Sequence, residues 1–418
     1  MSHLVSKHAY RDLVERINRF PQGAPPSKTL YRILKMLFSR EEAELVSKLP
    51  IRPFNVRTAA KRWSMSEKDA KVILDNLADR AILLDTTTGE DTTYILPPPM
   101  AGFFEFSMMR LNRSDLNQEL LASLFYQYLN EEEDFVKELF YGTKTKLGRV
   151  YVNESVLTKD QTVTILDFER ASSYVLESKH MGISTCYCRH KMHHMNKACD
   201  APLDICMTFG NTADSLIRHG HARRVDKVEG MELLHLAYES NLVQCGENVR
   251  NNVTFICNCC GCCCEAMVAA KKFGNLHPVV TTRFMAYIEE SECVNCGKCV
   301  KICPVAAIEG DADNTVVKEE LCLGCGVCLR NCKKGAIHFK ERKEKIITPA
   351  NSVHRAVLMA LEKGQLQHFI FDNKALYSHR AMAAIISAIL KLPPVKQAMA
   401  TEQMRSVYLE RIIERFQG

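Results

Sequence analysis

The sequence has no apolar run of about 18 residues, the length that a helix needs to cross a bilayer. Its first twenty residues are charged and amphipathic, so we expect neither a signal peptide nor a membrane span. The 55 Lys and Arg nearly balance the 49 Asp and Glu. A net charge of +6 in 418 residues is too small to indicate nucleic-acid binding by itself.

Nucleotide-binding motifs are also missing. No GxGxxG or P-loop pattern stands between a strand and a helix, so the sequence predicts no flavin, nicotinamide or ATP site. No Ser–His–Asp set or carboxylate pair stands out either, and no catalytic residue is predicted. Cysteine, by contrast, is abundant, with 19 residues. Without a signal peptide, we expect reduced thiols that bind metal in the cytoplasm of an anaerobic cell.

Eight of the cysteines form two matched units. Residues 292–308 read ECVNCGKCVKICPVAAI and residues 321–337 read LCLGCGVCLRNCKKGAI, each with the spacing C-x2-C-x2-C-x3-C. A [4Fe-4S] cluster takes four thiolates, and with this spacing the fourth cysteine of each unit ligates the other cluster. The expected ligands are Cys293, Cys296, Cys299 and Cys332 for cluster 1, and Cys322, Cys325, Cys328 and Cys303 for cluster 2.

These two units resemble the bacterial 2[4Fe-4S] ferredoxins over residues 285–340. The resemblance implies a small α+β fold with two-fold pseudo-symmetry and one-electron transfer. Lys333 stands where the first unit has Pro304, a position that ligates nothing. Lys333 and Lys334 put positive charge beside Cys332, which should raise that cluster's potential or face an acidic partner. Two zinc sites are the alternative, but zinc does not call for two matched repeats.

Eleven further cysteines lie between residues 186 and 264. We expect them to hold one or two additional [4Fe-4S] clusters, with a structural zinc site as the alternative. A helix from about residue 260 would put Cys260 and Cys264 on one face, and Cys245 is expected to be a buried small side chain. The expected ligands are Cys186, Cys188, Cys199, Cys206, Cys257, Cys260 and Cys264.

Other features of this region bear on its chemistry. Cys259-Cys260-Gly261 resembles the CCG motif of heterodisulfide-reductase-type subunits, although the second copy found in that family is missing. The resemblance implies a non-standard cluster that could be catalytic. Three histidines lie in the first cysteine loop: His190, His193 and His194. We expect them to be exposed, and the alternative is that one of them is a cluster ligand. Three arginines are expected to balance thiolate charge: Arg189, Arg223 and Arg224.

Residues 28–97 are predicted to form three or four helices followed by a hairpin. Ser27 is expected to cap one helix, and Ser39 with Glu42 forms a capping box for the next. This order resembles a winged-helix domain. Its candidate recognition helix, residues 66–80, has three positive and four negative side chains. Because phosphate contacts dominate DNA affinity, we expect a docking or structural role.

The sequence therefore predicts an α+β, mostly helical, multidomain chain. Its predicted parts are a winged-helix-like domain with an N-terminal helix at 1–110, a helical cysteine-rich iron–sulfur module at 111–283, a 2[4Fe-4S] ferredoxin domain at 284–341, and a C-terminal helical segment at 342–418. The C-terminal helices, near 352–364, 375–390 and 395–416, are expected to pack over the ferredoxin or dock a partner subunit.

These features predict an electron-transfer protein or subunit with at least two [4Fe-4S] clusters. The middle module raises the expected number of clusters to three or more. The middle module resembles those of anaerobic iron–sulfur electron-transfer proteins. We expect a redox partner protein or complex subunit, such as a flavoprotein, hydrogenase or dehydrogenase, and, because the candidate recognition helix carries no excess of positive charge, no nucleic acid. A subunit of an oxidoreductase complex is favoured over a stand-alone enzyme. The alternatives are an oxidoreductase with a catalytic cluster in the middle module and a redox-sensing DNA-binding regulator.

Overall fold

The computed structural model describes residues 2–111, 115–274, 277–311, 314–343 and 348–370. These residues form two compact units. The first contains residues up to 107, 142–145 and the segment from 349, and the second contains 108–141 and 146–348. Helices and strands are mixed, as the α+β class predicts. No helix within the described ranges is long and apolar enough to cross a membrane.

The N-terminal part of the first unit is mainly helical, with one small sheet. Its elements are the helices α1 Ser2–Ile17, α2 Lys28–Leu37, α3 Arg40–Ser47, α4 Val56–Trp63, α5 Glu67–Asp79 and α6 Phe104–Phe106, and the strands β1 Phe54–Asn55, β2 Leu84–Thr88 and β3 Asp91–Ile95. Both β1 and β2 pair antiparallel with β3. The predicted caps are confirmed: Ser27 accepts from the Leu30 N–H, and Ser39 and Glu42 form a capping box.

The cysteine-rich part of the second unit contains a six-stranded sheet. Its elements are the helices α7 Gln118–Tyr126, α8 Asp134–Tyr141, α9 Lys159–Thr164, α10 Ala171–Glu177, α11 Tyr187–His194, α12 Gly210–Arg218, α13 Lys227–Glu239 and α14 Glu265–Phe273, and the strands β4 Gly148–Val150, β5 Met181–Thr185, β6 Asp204–Phe209, β7 Arg223–Arg224, β8 Val243–Glu247 and β9 Phe255–Cys259. The strand order is β4-β8-β9-β6-β5-β7, and every neighbouring pair is antiparallel.

The prediction of a helical middle module is therefore wrong in one respect. Helices α12 and α13 lie where the pattern placed them, but the sequence analysis predicted none of the strands of the six-stranded sheet. These strands are short apolar runs, which periodicity alone does not distinguish from buried helix. One face of the sheet forms an apolar core with α10 and α13, through Met207 of β6 and Ile256 of β9. Successive side chains alternate between faces, so Cys206 and Cys257 point to the other face.

The ferredoxin-like segment, residues 284–341, is a small α+β structure. It consists of the strands β10 Phe284–Ile288, β11 Ile308–Gly310, β12 Thr315–Val317 and β13 Ile337–Glu341, and the helices α15 Lys298–Ile302 and α16 Val327–Asn331. Strand β10 pairs antiparallel with β13, and β11 with β12. Each short helix follows a glycine in the left-handed region, Gly297 at φ 67° and Gly326 at φ 84°.

The helices α17 Ser352–Glu362 and α18 Gln367–Ile370 belong to the first unit. Ala360 and Phe369 share an apolar cluster with Ile51, and the ring centroids of Phe20 and Phe369 lie 5.8 Å apart. This part of the C-terminal segment therefore belongs to the first unit, whereas the ferredoxin-like segment belongs to the second. The helices predicted near 375–390 and 395–416 lie outside the described residues.

Candidate metal centres

The eight cysteines of the ferredoxin-like segment line two cavities. The first is bordered by Cys293, Cys296, Cys299 and Cys332. The second is bordered by Cys303, Cys322, Cys325 and Cys328. Each cavity therefore combines three cysteines of one sequence repeat with the fourth cysteine of the other repeat. The crossed ligand sets require this arrangement.

Backbone N–H groups donate hydrogen bonds to the sulfurs of this segment. Such donors stabilise the negative charge of a thiolate or of cluster sulfur. The Ala307 N–H lies 3.1 Å from Cys303 Sγ. Other amide groups donate to the sulfurs of Cys299, Cys325 and Cys328. A group of four thiols with amide donors aimed at them is a chemical environment that fits a [4Fe-4S] cluster.

Seven cysteines of the middle region form a second, continuous group of sulfurs, here called the inner thiol group. Its members are Cys186, Cys188, Cys206, Cys245, Cys257, Cys259 and Cys264. The neighbouring strands β6, β9 and β8 bring part of it together: Cys206 Sγ lies 3.9 Å from Cys257 Sγ, and Cys245 stands opposite Cys257 in the sheet register. Cys259, two residues further along β9, contacts Cys245.

The remaining members of the inner thiol group lie at the starts of α11 and α14, where Cys186 and Cys264 are the N-caps. Hydrogen bonding to Cys206, together with burial, raises the pKa of Cys186 well above its usual range. The pKa of Cys188 is raised in the same way by contact with Cys264 and by burial. Crowded buried thiols resist ionisation unless positive charge is near, and a metal centre supplies such charge. The group therefore fits a cluster of several metal ions.

The other four cysteines form a separate and tighter group, here called the four-thiol cluster. Its members are Cys199, Cys260, Cys262 and Cys263, and their sulfurs all lie within 4.8 Å of one another. Three of them come from the turn between β9 and α14, and Cys199 comes from the loop after α11. Hydrogen bonding from Cys263 and the charge of Arg189 lower the pKa of Cys260 to about 4, despite its burial.

The structure places all seven predicted middle ligands in these groups and divides them between the two. Cys199 and Cys260 belong to the four-thiol cluster, and the other five belong to the inner thiol group. The expected helix from residue 260 is wrong, because α14 begins at Glu265 with Cys264 as its N-cap. Cys257 lies on strand β9. Cys245 is buried, as predicted, but it contacts other thiols.

Sequence reasoning did not select Cys245, Cys259, Cys262 or Cys263 as ligand candidates. One signal was available for the first two. The spacing Cys257-Asn258-Cys259 suits a strand whose alternate residues share a face. No comparable signal exists for Cys262 and Cys263, because a turn decides where adjacent side chains point.

Arg189 is the positive charge between the two thiol groups. Its side chain is 1% exposed and donates to the carbonyl oxygens of Pro202 and Asn258. Burial lowers the pKa of Arg189, but the neighbouring Cys186 and Cys260 raise it above the usual value. Arg189 thus offsets thiolate charge as expected. Arg223 and Arg224 do not, because they form exposed ion pairs with Glu229 and Asp214.

The three histidines of the first cysteine loop are not all exposed. His190 is buried, and its Nδ1 lies 2.9 Å from the Met108 carbonyl oxygen. Its Nε2 lies 3.1 Å from Nε2 of His194. Both ring nitrogens of His190 thus have partners other than cysteine. Of the three histidines, only His193 is fully exposed.

The thiol-rich turn lies directly against the ferredoxin-like segment. A Cβ added at Gly261 would come within 2.6 Å of the Pro304 carbonyl oxygen, and Pro304 follows Cys303. A second contact is the hydrogen bond from the Asn153 N–H to the Cys325 carbonyl oxygen, at 3.2 Å. Both contacts involve residues at the second cysteine quartet. The thiol-rich turn therefore lies beside the second cysteine quartet.

A cavity of about 560 Å³ opens beside the four-thiol cluster. Cys199, Cys260 and Cys262 line one side of it, and Cys303 with Pro304 lines another. The side chains of Asp200, Lys271 and Lys301 also border it, and all three are exposed. The cavity can therefore admit a small polar molecule close to the thiols.

Comparison with known proteins supports an iron–sulfur assignment. No curated protein and no solved structure matches the chain. Residues 286–339 match the family model of the 4Fe-4S dicluster domain, which covers the ferredoxin-like segment. Together with the cysteine-rich region, this match indicates a protein of iron–sulfur electron transfer.

Proposed function

We propose that the chain passes single electrons between the inner thiol group, the two clusters of the ferredoxin-like segment and a redox partner protein. The observation that carries this proposal is the closeness of the inner thiol group to the second cysteine quartet. Cys245 lies near enough to Cys325 for their charges to interact, and the Asn153 N–H donates to the Cys325 carbonyl oxygen at 3.2 Å. A buried route from one metal centre to the next is what an electron-transfer subunit needs. A [4Fe-4S] cluster accepts and releases one electron at a time.

The inner thiol group is proposed to bind a third [4Fe-4S] cluster. Five of its seven members are predicted ligands, and the group has more than the four thiolates that a cluster requires. The crossed sets, with Cys332 in cluster 1 and Cys303 in cluster 2, are proposed for the ferredoxin-like segment. Both cavities have the corresponding four thiols on their walls.

Cluster 1 is proposed to exchange electrons with the partner. Cys296 is exposed, whereas Cys322 and Cys328 of the second quartet are buried. Lys298, Lys333 and Lys334 border the same cavity as Cys296 and Cys332. A basic rim around an exposed cluster suits an acidic redox partner, because opposite charges speed up encounter. A flavoprotein, hydrogenase or dehydrogenase subunit with such a surface fits this role.

The N-terminal domain is proposed to be of the winged-helix type and to serve docking. Four helices followed by a hairpin, with β1 paired to β3, support the fold. On α5, Lys71 is paired with Asp75 at 2.7 Å, so the helix offers little free positive charge for phosphate. We expect no shift of generic DNA in an electrophoretic assay at low salt. A tight shift would instead favour the regulator alternative.

Purification without oxygen, followed by counts of iron and acid-labile sulfide, tests the third cluster. We expect about eight irons for the ferredoxin-like segment and about four more for the inner thiol group. Cys257→Ala should remove the additional four and leave the paramagnetic resonance spectra of clusters 1 and 2 unchanged. About eight irons, with zinc in the inner thiol group, would overturn the proposal.

The cavity beside the four-thiol cluster favours a second candidate function, an oxidoreductase with its active centre in the cysteine-rich module. Lys271 and Lys301 border this cavity, so a small anionic substrate is the class that fits it. Lys271→Ala and Lys301→Ala should then weaken substrate-induced changes in the cluster spectra, with Lys298→Ala as the control. Unchanged spectra over a panel of carboxylates and phosphates would count against catalysis there.

A further inference from the structure

We propose that the four-thiol cluster binds one metal ion, zinc or iron, and is a tetrathiolate site separate from every [4Fe-4S] cluster. This site goes beyond the electron-transfer function, which needs only the inner thiol group and the ferredoxin-like segment. Four sulfur ligands in a tetrahedron are the coordination that zinc and single iron ions share.

The distances between the sulfurs carry this inference. All four lie within 4.8 Å of one another, and Cys262 Sγ is 3.6 Å from Cys263 Sγ. A metal–sulfur bond of about 2.3 Å in a tetrahedron places the sulfurs about 3.8 Å apart. In a [4Fe-4S] cluster each thiolate binds a different iron at its own corner, so the sulfurs lie farther apart. In the part of the chain that the structure describes, no second group of potential ligands is gathered as closely.

The short turn that contains three of the four cysteines also favours the binding of a single metal ion. Cys260, Cys262 and Cys263 lie within four residues of a turn, between the end of β9 and the start of α14. Pro304 packs against Gly261 and leaves no space there for a side chain, which fixes the path of the turn. A turn of this size can direct three sulfurs to one point. It is poorly suited to reach three separate corners of a cube.

The surrounding charge also fits a tetrathiolate ion. Four thiolates around a divalent ion carry a net charge of −2. The buried Arg189 lies beside Cys260, and Lys271 borders the adjoining cavity. A closed set of four thiolates leaves no coordination position for substrate, as in structural zinc sites. The ion would therefore tie the loop after α11 to the turn before α14.

Metal analysis of the full chain, purified without oxygen, tests the site. For zinc, we expect one ion per chain, with X-ray absorption showing four sulfur neighbours at about 2.3 Å. For iron, we expect one iron in excess over sulfide and a high-spin ferric resonance after mild oxidation. Cys199→Ser and Cys263→Ser should each remove this ion and leave the sulfide content unchanged. Ser240→Ala, a substitution at the same cavity, serves as the control.

Two results would overturn the proposal. One is the loss of about four irons and four sulfides in Cys263→Ser, because that loss would mean that the cluster is a cube. The other is an unaltered chain without zinc and with equal amounts of iron and sulfide. The metal and sulfide content of the unaltered chain tests the proposal even when a variant does not fold. Neither result depends on Cys257→Ala, which tests the third cluster separately.

Discussion

At the scale of single residues, the two cysteine repeats of the ferredoxin-like segment each contribute one cysteine to the cavity lined mainly by the other repeat. Cys303 belongs to the first repeat, residues 292–308, but borders the cavity of the second repeat, and Cys332 does the reverse. The four cysteines of one repeat therefore do not line one cavity, and the proposed crossed ligation can be tested with single substitutions.

Cys303→Ala should damage cluster 2 and spare cluster 1, whereas Cys332→Ala should do the opposite. The reason is that each substitution removes one of four thiolates from the cluster that is remote in sequence. Resonance spectra of the two reduced variants, recorded without oxygen, distinguish the clusters. Loss of only the cluster held by Cys293, Cys296 and Cys299 in the Cys303→Ala variant would show that ligation is not crossed.

For the middle cysteines, the sequence does not reveal which side chains lie close together. Spacing predicts the ligands of the ferredoxin-like segment because its loops wrap the metal locally. Cys206, Cys245 and Cys257 meet only because β6, β9 and β8 are neighbours in one sheet. That register depends on packing of the whole sheet and cannot be read from spacing. The sequence pattern thus indicates seven cysteines that lie in the inner thiol group or the four-thiol cluster. It cannot predict which cysteine belongs to which group.

At the scale of secondary-structure elements, a buried ion pair joins α11 to α14. Lys191 is fully buried and pairs with Glu265, which is 3% exposed. Asn130 completes the group: it accepts from Lys191 Nζ and donates to Glu265 Oε2, at 2.9 Å. Lys191 lies three residues after Cys188 on α11, and Glu265 directly follows Cys264, so the pair helps to fix the positions of both cysteines.

Lys191→Met should destabilise the second unit by about 3–5 kcal/mol, because it leaves the Glu265 carboxylate buried without a partner. Urea titration of the cluster absorbance under nitrogen measures this effect. The double variant Lys191→Met/Glu265→Gln should recover part of the loss, since the buried charge is removed. Equal stability of the unaltered chain and the single variant would contradict the role of the pair.

Gly261→Ala tests the contact between the thiol-rich turn and the ferredoxin-like segment. The added methyl group would come within 2.6 Å of the Pro304 carbonyl oxygen, so one of the two loops must shift. We expect a loss of about 1–3 kcal/mol, as for other overpacked sites. The urea midpoint should fall in this variant and remain unchanged in Ser240→Ala. Identical midpoints in the two variants would mean that the contact is not close.

At the scale of the whole molecule, the first unit is assembled from three separate stretches of sequence. The Glu362 carboxylate of α17 accepts hydrogen bonds from the N–H groups of Lys144 and Thr145, at 2.7 and 3.0 Å. Lys363 donates to the Pro21 carbonyl oxygen at 2.7 Å. The sequence predicted α17 but not its position, because these contacts join residues more than 200 positions apart.

Glu362→Ala should destabilise the first unit by about 1–3 kcal/mol, because two backbone N–H groups lose their acceptor. Trp63, the single tryptophan, lies in this unit and is buried, so its fluorescence follows unfolding there. We expect a lower urea midpoint by fluorescence and an unchanged cluster absorbance. Glu362→Gln, which keeps an acceptor oxygen, should show a smaller effect. A change in absorbance without a shift in midpoint would contradict this assignment.

The pairing of β10 with β13 brings the two ends of the ferredoxin-like segment together. Phe284 stands opposite Glu341, and the Arg342 N–H donates to the Arg283 carbonyl oxygen at 2.8 Å. The chain therefore enters and leaves the segment at one point. Domains with adjacent ends can be exchanged between proteins with little disturbance of their hosts. A ferredoxin of different potential could be transplanted between Arg283 and Arg342, which would change the driving force for electron transfer while the host sheet stays the same.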